Sequence, residues 1–257
     1  MCSSPKYKSI CKKKKQNQWD DTCLKTATVE MSFAALLRRQ MQDLANTVLT
    51  SQNCNEDGET LSHEVNIILS NAEFAHGFVP NLIDMLCDPS SASSANKLSA
   101  LEYTNTLSKN FQLTVSTVTR LHEKLRYGRE DEGRLCFHKN QRKLCLQQER
   151  FKTITAETER ACLEWIDLKP SKDSFANLLG IASVFYAHFT YLAPFQEGNE
   201  LTALFVVFSI LARLVAVPFR FEHVYQWNIM QSPLLLCTSM LTCIRRASII
   251  GTYLNLE

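Results

Sequence analysis

The sequence predicts an all-α fold, a helical bundle carrying one small β-hairpin. Three observations lead there. Only 7 glycines and 7 prolines stand among 257 residues, too few to punctuate a fold of many short strands. Apolar residues recur at helical spacing in one stretch after another. The spacing changes to alternation at a single place, between residues 135 and 147. With 45% hydrophobic and 21% charged residues, the chain can bury a sizeable core.

Residues 1–28 are polar and basic, with Lys12 to Lys15 in a row, and are expected to form a solvated, disordered tail. The alternatives are a localisation signal or a contact for an acidic partner. From Met31, MSFAALLRRQMQDLANTVLTSQ has the apolar spacing of a helix with Arg and Asp opposite. NCNEDGE breaks it, and TLSHEVNIILSNAEFAHGF reads as a second helix with Thr60 or Ser62 as cap. The Ser-rich run 87–97 reads as a loop. LSALEYTNTLSKNF and TVSTVTRLHEKLRYG follow as helices, the latter closed by Gly128.

Next comes the hairpin. Leu135 and Phe137 alternate on one side of a polar Lys-Asn-Gln turn, and Leu144 and Leu146 on the other. Helices resume at TAETERACLEWIDL, at SFANLLGIASVFYAHFTYL, over Leu201 to Val217, and at SPLLLCTSMLTCIRRASIIGTYL. There is no internal repeat.

A net charge of +2, without basic residues interleaved with aromatics, argues against a nucleic-acid binder. None of the 10 cysteines forms a pair with the C-x-x-C spacing of a zinc or thioredoxin-like site. Cys162 and Cys237 lie in apolar runs, where a free thiol acts as a small hydrophobe. Reduced, structural cysteines in a cytoplasmic compartment are expected. The first residues lack the apolar segment of a secretory signal. The longest apolar run, Ala203 to Ala212, is far shorter than the ~20 residues a membrane span needs. No membrane association is expected.

Residues 193–204, APFQEGNELTAL, open a helix on a Gly-Asn turn, the kind of N-terminus that suits an anion. The stretch resembles the signature of the Fic (Fido) family, HPFx(D/E)GNGRxxR. Pro194, Phe195, Glu197, Gly198 and Asn199 match it without a gap. TRLHEKL, GRL, AETERACLEWID and FYAHFTYLAPF fall in the family's order, so the resemblance covers roughly residues 60–228. It implies a Fic-type bundle and, in intact members, transfer of AMP or another phosphate-containing group from a nucleotide to a protein hydroxyl. The core would run over 129–257 and the preceding helices over 29–128.

The departures fall on the chemistry. The family's general base is a histidine, and its position is Ala193 here. A positioned base contributes roughly 100- to 10,000-fold in rate. His188 stands five residues earlier, about 7.5 Å back along a helix and turned off the face. The family's two phosphate-binding arginines correspond to Leu201 and Leu204, and its last signature glycine to Glu200. The site therefore has two cations fewer and one anion more. Losing two charge-assisted hydrogen bonds, each contributing roughly 1.5–3 kcal/mol, leaves ATP little to bind. Gly198 and Asn199 remain as a vestigial phosphate cradle, and Glu197 matches the magnesium-binding acid. Glu200 also suits the positive end of the helix dipole. A core helix with an acidic first turn is the plain alternative for this stretch.

The segment NCNEDGETLSHEV, near 53–65, resembles the region of the family's inhibitory helix, (S/T)xxxE(G/N). Asn53, Asp57 and Gly58 would occupy that motif, with its serine and glutamate replaced. The hairpin 135–147 corresponds to the family's flap, which holds a target chain as an added strand through backbone groups alone.

The resemblance implies a pseudoenzyme, a protein-binding or regulatory module, able to pair as a homodimer and needing neither ATP nor magnesium. The second reading is an active transferase using rearranged chemistry, for which ATP and magnesium would be cofactors.

Overall fold

The architecture is set by two helices that are apolar on nearly every face and therefore must lie inside. The computed structural model describes residues 32–50, 92–109, 111–136, 141–165, 171–211 and 232–241. We number its helices α1 (32–50), α2 (Ala92–Lys109), α3 (Val115–Leu125), α4 (Gln141–Leu163), α5 (Lys172–Leu192), α6 (Asn199–Leu211) and α7 (233–241). Among the described residues there is no strand, and one isolated antiparallel bridge joins Leu135 to Phe195. The expected all-α class stands.

α5 starts on a capping box: Ser171 accepts from the Ser174 backbone N–H, and the Ser174 hydroxyl accepts from the Ser171 N–H. Its core side chains run without a polar face, from Phe175 through Phe185 to Phe189. By length and composition α5 could cross a membrane, but here it is the centre of the bundle, packed between α4 and α6. α6 is buried continuously from Thr202 to Leu211. Together these two helices form the centre of the core among the described residues, at roughly 25 cal/mol per Å² of apolar surface removed from water.

The outer helices show one wet face each. α1 buries Leu37, Met41, Leu44 and Val48, a 4-3-4 spacing that lines one stripe. That stripe meets α5 at Gly180, where an added Cβ would lie 3.0 Å from the Met41 carbonyl oxygen. The same helix reaches α4 through Arg38, whose Nε and Nη2 donate to the two Glu157 oxygens at 2.6 Å each. α3 begins on a second capping box, Thr114 with Thr117, and buries Val118, Leu121, His122 and Leu125. It packs on α2 and α6.

Two expectations are corrected. The hairpin over 135–147 is not formed: α4 starts at Gln141, so Leu144 and Leu146 are helical. Leu135 pairs with Phe195 instead, and Phe137 lies outside the described residues. The alternation was misleading because residues 134–169 contain no glycine or proline to make the tight turn. Residues 92–97 of the expected loop are the first turns of α2, since serine and alanine after Pro89 do not break a helix. The second predicted helix, 60–78, lies outside the described residues.

Candidate functional site

The turn between α5 and α6 is held from both ends and from below. α5 cannot continue past Pro194, because proline has no N–H and its ring clashes with the preceding turn. It ends on Ala193, whose φ of 45° and ψ of 63° are left-handed, with its N–H donating to the Phe189 carbonyl at 3.0 Å. Gly198 has φ +75° and precedes α6, and its carbonyl accepts from the Thr202 N–H and hydroxyl. Asn199 closes the turn on itself: its Nδ2 donates to the Phe195 carbonyl at 2.8 Å and its Oδ1 accepts from the Phe195 N–H at 2.9 Å. The asparagine amide thus makes a two-way backbone clamp.

Below the turn stands α3. His122 is fully buried and stacks on Phe195, ring centroids 3.9 Å apart. The Gly133 N–H donates to His122 Nδ1 at 3.1 Å, so Nε2 carries the proton and donates to the Glu197 carbonyl at 2.9 Å. Burial holds the imidazole below its ordinary pKa, while the Glu197 carbonyl and Asp131 pull the other way. The ring is a neutral strut with its tautomer fixed by two backbone groups.

Four residues further on, at the C-cap of α3, comes Arg126. Its Nη2 donates to Asp131 at 2.9 Å and to Glu197 at 2.6 Å, and its Nε bonds both Asp131 oxygens at 3.1 Å. The guanidinium holds the Asp131 carboxyl below the usual carboxylate range. Arg126 also lies over the turn: a side chain at Gly198 would meet its Cδ at 3.3 Å. The chain after α3 completes the frame, because the Cys136 N–H donates to the Pro194 carbonyl at 2.8 Å beside the Leu135–Phe195 bridge.

The residues singled out in the sequence fall into three groups. Ala193, Glu197, Gly198, Asn199, Leu201 and Leu204 come together on this turn and the start of α6, with Leu135 across the bridge. Ala193 and Glu200 are exposed, Leu201 is half-buried against the core, and Leu204 is fully buried. Leu144 and Leu146 are carried away on α4. Asn53, Asp57 and Gly58 lie outside the described residues. His188 is not at the turn's chemistry; it faces α1, bonding Gln40 at 2.7 Å and meeting Phe33 edge-on.

His122, Arg126, Asp131 and Gly133 were not singled out as a site by sequence reasoning. Their one signal is the i, i+4 pairing of His122 and Arg126 at the end of an amphipathic helix. No group of three or more His, Cys, Asp or Glu side chains gathers among the described residues. No protein-family model matches the chain, and no curated protein matches its sequence.

Proposed function

We propose that the chain is a degenerate Fic-like domain that acts by binding protein rather than by transferring a nucleotide group. The carrying observation is Leu204, which stands where the resemblance puts the arginine that clamps the outer phosphates and which is fully buried in the core. A cation at that position would be stranded away from water. The remaining chemistry fits the same reading. Ala193 can take no proton, and Glu200 repels phosphate from the start of α6. Glu197, the acid of the motif, is already engaged by Arg126.

Binding is supported by what surrounds the turn. Tyr191, 87% exposed, precedes it on α5, and Tyr127, 72% exposed, follows Arg126 on the frame. Exposed tyrosines on a rigid base are the residue type that anchors protein interfaces. The buried, free thiols of Cys162 and Cys237 suit a reducing, cytoplasmic compartment.

Incubation of the protein with magnesium and ATP labelled in the α-phosphate, alone and with cell extract, tests the reading. It predicts no label on any protein above the level of a heat-inactivated control. Label that depends on the intact chain would establish the alternative, a transferase with rearranged chemistry.

A further inference from the structure

The resemblance puts a divalent cation at Glu197, and the residues present do not fit one. A magnesium site needs carboxylate oxygens with open lone pairs and room for several waters. Here one nitrogen, Nη2 of Arg126, takes Asp131 at 2.9 Å and Glu197 at 2.6 Å. The space between the two carboxylates is filled by a guanidinium that is charged at every physiological pH.

We propose that Arg126 is the resident cation of this site: it stands between Asp131 and Glu197 in the place of a divalent ion and latches the 193–199 turn onto α3. The two halves of the latch differ. The Asp131 side chain is 10% exposed and makes three bonds to the guanidinium, a permanent anchor. The Glu197 side chain is 63% exposed and makes one bond, the more solvated half. Around them, the neutral His122 bonds the Glu197 carbonyl and brings no charge. The packing of Arg126 over Gly198, where a side chain would meet its Cδ at 3.3 Å, adds contact to charge.

A built-in cation gives the turn one shape whether or not nucleotide or metal is present, as a constitutive binding surface requires. The inference deepens the reading above and rests on it only for taking a divalent ion as the competitor. Its test uses no nucleotide, so its failure and the failure of that reading are separable.

The probe is manganese chloride alone, at millimolar concentration, added to the full chain. Melting temperature and the relaxation of water protons by bound manganese are both read. The wild type should show no shift and no bound manganese. Arg126→Gln keeps a hydrogen-bonding side chain but removes the charge, leaving two carboxylates facing one gap. It should melt lower and regain about 2–4 °C with manganese, with bound metal visible in the relaxation. Arg126→Gln with Glu197→Gln should lose the regain. Should Arg126→Gln fail to fold, Glu197→Gln in the wild-type background reads the latch instead, because an exposed, isosteric change leaves the core packing intact. It should lower the melting temperature by about 2–4 °C. Manganese binding by the wild type, a folded Arg126→Gln that ignores manganese, or an unshifted Glu197→Gln would each overturn the latch.

Discussion

His122 and Phe195 lie face to face, ring centroids 3.9 Å apart and planes 10° apart, although 73 positions separate them along the chain. This stack joins the end of α3 to the turn that opens α6, and both nitrogens of the imidazole are spent on backbone groups. The arrangement is a support for the turn. It leaves no lone pair to act as a base on a substrate.

The first prediction concerns acid. Burial is the main cause that lowers the pKa of both His122 and His188, with Arg150 adding to the effect at His188. The unfolded chain therefore takes up these protons near pH 6.5 while the folded chain still refuses them. In that window the unfolded state holds more protons, so stability falls as pH drops below about 6.5. Melting temperature should decline steadily from pH 7 to pH 5, with a shallower slope in His122→Gln and in His188→Gln. A melting temperature that rises on acidification would contradict it.

The second concerns Ala193. Its left-handed backbone costs roughly 1 kcal/mol or more in a residue with a Cβ, and glycine at that cap avoids the cost. Ala193→Gly should raise unfolding free energy by about 0.5–1 kcal/mol in urea denaturation, with an unchanged slope. Because Ala193 is exposed, no packing is lost to offset the gain.

The third separates Leu201 from Leu204. Leu201 is half-buried at the edge of the core, so Leu201→Arg can send its charged end to water. Paired with Glu200→Gly it should cost less than about 1 kcal/mol. Leu204 is fully buried, and Leu204→Arg should cost about 3–5 kcal/mol. Adding Ala193→His to restore the whole signature should not recover the stability lost at Leu204. Equal melting curves for Leu201→Arg and Leu204→Arg would remove the main support for a dead phosphate site.

The fourth concerns the seam between α1 and α5. Gly180→Ala puts a methyl 3.0 Å from the Met41 carbonyl oxygen and 3.3 Å from the Ala45 nitrogen. Backbone atoms cannot yield as a flexible side chain would, so the helices must part. A loss of about 1–3 kcal/mol is expected, against the small gain that alanine gives an exposed helix position.

The central helices were legible because their pattern is strong: α5 and α6 are predominantly apolar on nearly every face, with proline and glycine only between them or at a close packing point. The turn was legible as a shape, since Pro194, Gly198 and Asn199 each have a local backbone reason for their place. What holds the turn was not. Arg126 and Glu197 are 71 residues apart, and nothing in either neighbourhood encodes the pairing. The hairpin was misread for the opposite reason. Leu135, Phe137, Leu144 and Leu146 alternate locally, but Leu144 also stands seven residues before Phe151, which is buried on α4. A period of two over short pieces was outweighed by a period of 3.6 over a long one.

Whether the turn binds a nucleotide is read by calorimetric titration with ATP and magnesium. No heat of binding is expected at millimolar nucleotide, and no rise in melting temperature in the same buffer. A ligand present at 100 times its dissociation constant would add about 2.7 kcal/mol of stability, a shift that cannot be overlooked. Saturable heat with one site per chain, lost on Gly198→Ala, would show that the turn is a working nucleotide site.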